Sequence, residues 1–67
     1  MRAMSLAEKI YTVMELKGMT QADLSRKSGL STAVIAQVLT ERTKDPRFST
    51  VVKIAKALDI PLEYLAP

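Results

Sequence analysis

Cysteine and histidine are both absent from this 67-residue sequence. Their absence excludes disulfides, thiolate or imidazole metal sites and every catalytic arrangement built on His or Cys. Aromatic side chains are few, namely Tyr11, Phe48 and Tyr64, so there is no stacking platform of the kind that grips single-stranded nucleic acid. No apolar run approaches the ~20 residues that span a bilayer, and the N-terminus lacks the apolar stretch of a secretory signal. A soluble, cytoplasmic protein is the resulting expectation. The sequence also lacks paired carboxylates, a nucleophile beside a base and a phosphate-binding loop, so it does not read as an enzyme and implies no cofactor. Strand signals, internal repeats, low-complexity segments and linkers are missing as well.

What is present is a chain rich enough in apolar residues to fold. They make up 48% of the sequence, too many for a disordered tail, so a packed core is expected. A chain this short buries only about 60% of the surface its unfolded form exposes, so stability is expected to be marginal. The formal net charge of +3 is a weak pointer to a polyanionic partner, because many small solvated domains are mildly basic. Its placement says more: Arg42, Lys44 and Arg47 fall close together, opposed inside that stretch only by Asp45. With single-stranded nucleic acid disfavoured, duplex is the expected form of such a partner.

The sequence predicts five short helices in one all-α domain spanning residues 1–67. The first opens on the capping box Ser5-Leu6-Ala7-Glu8, carries an apolar stripe of Leu6, Ile10, Val13 and Met14, and ends at Lys17-Gly18. The second runs from Thr20, a good N-cap with Asp23 completing a weaker box, to about Ser28. Gly29 then breaks the chain, and Leu30 follows as a core anchor. The third begins at Ser31 and runs to about Thr40. After a polar loop from Glu41 to Arg47, a fourth helix starts near Ser49 and carries Val51, Ile54, Ala55 and Leu58 at helical spacing. A last short turn follows Pro61, with Leu62 and Leu65 apolar.

The third helix is the most informative. At ~100° per residue, Val34, Ile35, Val38 and Leu39 gather on one side and Thr32, Ala33, Ala36, Gln37 and Thr40 on the other. The first set is expected to be core. The second contains no charge, whereas an ordinary solvated helix face carries Lys, Glu or Arg. Small and short polar side chains suit close approach to another surface. A thymine methyl packs on Ala or a Thr methyl, and Gln can bond an adenine edge twice. Packing on a neighbouring helix or a partner protein accounts for the same face equally well, so composition alone leaves both readings open.

The short Gly-containing turn between the second and third helices favours the DNA reading, because it matches the helix-turn-helix arrangement. The sequence here resembles the phage repressor and Cro family over roughly residues 6 to 65. The carriers are Gly18-Met19-Thr20-Gln21-Ala22-Asp23-Leu24-Ser25, then Ser28-Gly29-Leu30-Ser31, then Thr43-Lys44-Asp45-Pro46-Arg47-Phe48, and finally Ala57-Leu58-Asp59-Ile60-Pro61-Leu62-Glu63-Tyr64-Leu65. The Lys-x-Pro-Arg-Phe run is similar to that of the lambdoid repressors in particular. The resemblance implies a compact five-helix repressor-like fold with the helix spanning about 31–40 in the major groove. It places Gln21 on a phosphate, where a helix N-terminus also favours anions. Thr32, Ala33 and Gln37 match base-reading positions, Gln37 foremost, and Ser31 and Thr40 match positions that touch the backbone. Arg42, Thr43 and Lys44 match a loop that binds phosphates and sets register, and Arg47 matches a residue that approaches the minor groove. Arg26, Lys27, Lys53 and Lys56 are expected to face solvent.

Relatives bind near-palindromic double-stranded operators as two-fold dimers, so a homodimer on DNA is implied. Phe48, Ile60, Leu62 and Leu65 are the candidates for its interface, each of which could equally be core. Three departures from the family pattern stand out. An ion pair between the first and third helices is replaced by Met14 and Leu39, which are expected to touch. Glu41 stands where the family has Gly and, with Asp45, weakens the basic loop, so affinity per monomer is expected to be modest. Asp59 stands where a Gly commonly ends the fourth helix. A transcriptional repressor is the leading reading, as a whole Cro-like protein or as the N-terminal domain of a longer repressor. The alternatives are an antitoxin or restriction-modification controller of the same fold, and a protein-interaction module that has lost DNA.

Overall fold

The computed structural model describes residues 4–40 and 46–65. Among them five helices and no strand occur, as the sequence predicts: α1 (Leu6–Lys17), α2 (Gln21–Ser28), α3 (Thr32–Leu39), α4 (Phe48–Leu58) and α5 (Leu62–Leu65). Helices this short are marginal alone, so their ends matter. Ser5 Oγ accepts from the Glu8 amide at 3.2 Å while Glu8 Oε1 accepts from the Ser5 amide at 2.9 Å. Thr20 and Asp23 repeat the arrangement at α2, at 3.1 and 3.0 Å. In each box two amides without an intrahelical partner find side-chain acceptors. Ser31 caps α3 by accepting from the Val34 amide at 3.2 Å. α4 begins one residue earlier than its sequence suggests, at Phe48, and its N-cap Arg47 makes no side-chain capping bond.

α1, α2 and α4 end on left-handed residues, Gly18, Gly29 and Asp59. Gly18, at φ 64°, lets its own amide reach the Glu15 carbonyl and the Met19 amide reach that of Met14. α4 closes the same way through Asp59, at φ 57°, with the Ile60 amide on the Ala55 carbonyl at 3.1 Å. The conformation that glycine commonly supplies at such a cap is here taken by an Asp.

α1 packs on α3 and α5, and α2 packs on α3 and α4. Ile10, Leu24, Ile35, Ile54 and Leu58 are the fully buried side chains, at least one from each of α1 to α4. Burying a side chain of this kind stabilises by roughly 1.5–3 kcal/mol. Met14 and Leu39 are both buried in this same core, consistent with the expected apolar replacement of the ion pair. Neither carries a polar group that would need a partner there. No polar or charged side chain is buried among the described residues.

The expected interface set divides. α5 folds onto α1 and α4, and this carries Leu65 into the core with 3% of its surface exposed. Ile60 and Leu62 are half-buried against the same core. Phe48 remains 72% exposed.

Candidate nucleic-acid interface

Ile35, Val38 and Leu39 are the buried side chains of α3. Their mean direction defines the inward side. Val34 and Ala36 lie about 90–110° to either side of that direction, and both are half-buried. Val34 therefore sits on a flank, and the core face of α3 has three residues where the sequence suggested four. Ala33 and Gln37 lie furthest from the core and are exposed, as are Thr32 and the N-cap Ser31. Four of the expected DNA-contacting residues are thus uncharged and solvent-exposed, Ala33 and Gln37 opposite the core and Ser31 and Thr32 at the N-terminal end of α3.

The hydroxyls on this surface differ in what they have left to give. Ser31 Oγ accepts from the Val34 amide, and its own hydrogen stays available for an outside acceptor. Thr40 is exposed, but its hydroxyl donates back to the Ala36 carbonyl at 2.8 Å. Its amide bonds the same carbonyl at 2.9 Å. In this geometry Thr40 closes the helix, and a contact outward would require its hydroxyl to turn away.

Gln21 is the first residue of α2 and is exposed. In that first turn the Asp23 amide is taken by Thr20 Oγ and the Leu24 amide by the Thr20 carbonyl at 3.0 Å. The Gln21 and Ala22 amides are left outside these bonds, where a helix N-terminus favours an anion. Asp23 bears on the local charge. The Thr20 amide bonds its carboxylate and holds that carboxyl below its ordinary 3.8, with the Thr20 hydroxyl and the Arg26 and Lys27 charges adding to the effect. Arg26 also pairs with it directly, so the carboxylate is partly neutralised beside the anion-favouring end.

Arg47 is exposed at the N-cap of α4. Arg42, Thr43 and Lys44, with Glu41 and Asp45, lie outside the described residues. Arg26, Lys27, Lys53 and Lys56 are exposed, as expected. Two residues that sequence reasoning passed over matter here. Ser25 and Ser28 bond across the turn that joins α2 to α3. Both stand in the last turn of α2, ahead of Gly29, and nothing local to those positions signalled it.

Comparison with known proteins supports the same frame. The chain superposes on the restriction-modification controller protein C.AhdI from Aeromonas hydrophila with a TM-score of 0.84, over 91% of each chain at 24% identity. A curated relative, protein P2 of Acyrthosiphon pisum secondary endosymbiont phage 1, is 33% identical over 48 residues. That match covers 72% of this chain and about half (51%) of the relative's length. The sequence model of the Helix-turn-helix family matches residues 10–65, from α1 to the end of α5. The chain belongs to the Cro/C1-type helix-turn-helix family of DNA-binding transcription regulators.

Proposed function

We propose that this chain is a sequence-specific repressor that binds a near-palindromic double-stranded operator as a homodimer. In this reading residues 1–67 act as one DNA-binding domain in a bacterial or phage-infected cytoplasm. α3 enters the major groove, with Gln37 reading a base edge and Thr32 and Ala33 packing beside it. Ser31, Gln21 and the Arg42, Thr43 and Lys44 loop hold phosphates, and Arg47 senses minor-groove width. Thr40 has the weakest claim, because its hydroxyl already serves the helix end. The observation that carries the reading is the exposed, uncharged Thr32, Ala33 and Gln37 surface on a helix whose other side is anchored by Ile35, Val38 and Leu39.

The test is selection of a preferred duplex from a random pool, then titration of that duplex at several salt concentrations. A palindromic consensus bound with a steep salt slope is the expected result, since released counterions set that slope. No enriched duplex would overturn the proposal. A controller of restriction-modification genes is the second reading, favoured by the likeness to C.AhdI over nearly its whole length. The two separate on the operator's own gene: a reporter that the protein only silences supports the repressor, and one that it also activates supports the controller.

A further inference from the structure

Three residues, Gly29, Leu30 and Ser31, separate α2 from α3, and two serine hydroxyls close on the middle one. Ser25 Oγ, from within α2, donates to the Leu30 carbonyl at 2.5 Å. Ser28 Oγ accepts from the Leu30 amide at 3.2 Å and donates to the Ser25 carbonyl at 3.3 Å. Both backbone groups of Leu30 are thus held by side chains of the preceding helix. All of these bonds are partly buried, so water competes for them only in part. Neither hydroxyl is needed to end α2, because the Gly29 amide already bonds the Ser25 carbonyl at 3.0 Å. The Leu30 side chain packs against the core, so the clasped residue is also a fixed point.

We propose that Ser25 and Ser28 are positioning residues for DNA reading, clasping the turn so that α3 keeps one angle to α2; this rests on the operator-binding function above. Leu30 is the pivot, and Gln37 lies seven residues beyond it, about 10 Å along the helix axis. A 10° swing about that pivot moves Gln37 by about 2 Å. Donor–acceptor distances in a good hydrogen bond vary over only ~0.5 Å, so such a swing breaks a two-bond base contact. Phosphate contacts rely on charge and reach and carry no sequence information, so they survive it. Ile35, Val38 and Leu39 hold α3 down by apolar burial, which is non-directional. The directional bonds at the turn are what fix its angle.

The experiment compares affinity for the duplex selected by the native chain with affinity for a scrambled duplex of the same length. The Ser25→Ala, Ser28→Ala double variant is expected to lose at least tenfold in preference between the two. Its affinity for the scrambled duplex should stay within twofold of native, with the same salt slope. Ile54→Val, which weakens the core from α4 and leaves the serine bonds intact, is the control and should leave the preference at its native value. A second readout needs no DNA: the Leu30 amide should exchange hydrogen faster in Ser28→Ala while α4 amides keep native protection. A folded double variant that keeps the native preference, or loses affinity equally for both duplexes, overturns the clasp. If the double variant does not fold, the two single variants are read by the same criteria. A native chain that prefers no duplex overturns the operator reading itself, and that result is in hand before any variant is compared.

Discussion

Gln37 is exposed on the side of α3 furthest from the core and has no role in packing. Its replacement therefore separates reading from folding. Gln37→Ala should leave thermal stability within experimental error while removing roughly 1–3 kcal/mol of discrimination at one base position in each half-site. A panel of single-base operator variants checks this, and a uniform loss across the panel would make Gln37 a backbone contact instead. Asp59 is the opposite case, a residue that matters to the fold alone. It holds φ 57° and is the one described non-glycine residue with positive φ. L-residues pay for that conformation and glycine does not. Asp59→Gly should raise stability in a urea titration by about 0.5–1 kcal/mol, the ~1–2 kcal/mol cost of the left-handed conformation less the ~0.5–1 kcal/mol of extra chain entropy that glycine loses on folding. An unchanged or lower midpoint would mean that the Asp side chain compensates for its backbone.

Helix ends were legible in the sequence because capping is local. Ser5 with Glu8, Thr20 with Asp23, and Ser31 ahead of an apolar run each announce a helix start within four residues, and all three form as read. α4 has no such signal. Its N-cap is an arginine without a capping bond, and there the predicted start slipped by a residue. The α3 cap offers a way to uncouple stability from binding. Ser31→Asp keeps an acceptor for the Val34 amide and puts negative charge at a helix N-terminus, which stabilises. The same charge would face the DNA phosphates. The variant should melt at or above the native temperature while its affinity for every duplex falls; full binding would remove Ser31 from the interface.

The α2 box supplies a pH test at the same scale. The Asp23 carboxyl titrates below its unfolded value of 3.8 in the folded chain. A group depressed on folding contributes stability fully above its unfolded value and loses it as pH falls through the folded one. Asp23→Asn should therefore melt below the native chain at pH 7, and the gap should narrow as pH is lowered past 3.8 and through the depressed folded value. A gap of equal size at both pH values would mean that the carboxylate charge is not its source.

At the scale of the whole molecule, apolar periodicity told which residues avoid water but not what they meet. Leu65 and Phe48 were equally good interface candidates in the sequence. Where α5 lands against α1 and α4 decides between them, burying Leu65 and leaving Phe48 outside. The clasp of Ser25 and Ser28 on Leu30 was unreadable for a similar reason, since it exists only once the chain has turned at Gly29. For Val34 the two-sided division of α3 was too coarse to separate flank from core. Phe48 is now the residue on which dimerisation can be tested without disturbing the fold. It lies on the first turn of α4, outside the buried core. A two-fold interface counts each residue twice, so burying both copies of a Phe stabilises a dimer by roughly 3–6 kcal/mol. Phe48→Gln should then weaken self-association by at least a hundredfold in sedimentation equilibrium, and make occupancy of a palindromic duplex less steep with protein concentration. Its melting temperature at high dilution, where both proteins are monomers, should match the native value. Unchanged association would place the dimer contact on another surface; a lower monomer melting temperature would show that Phe48 packs on its own chain.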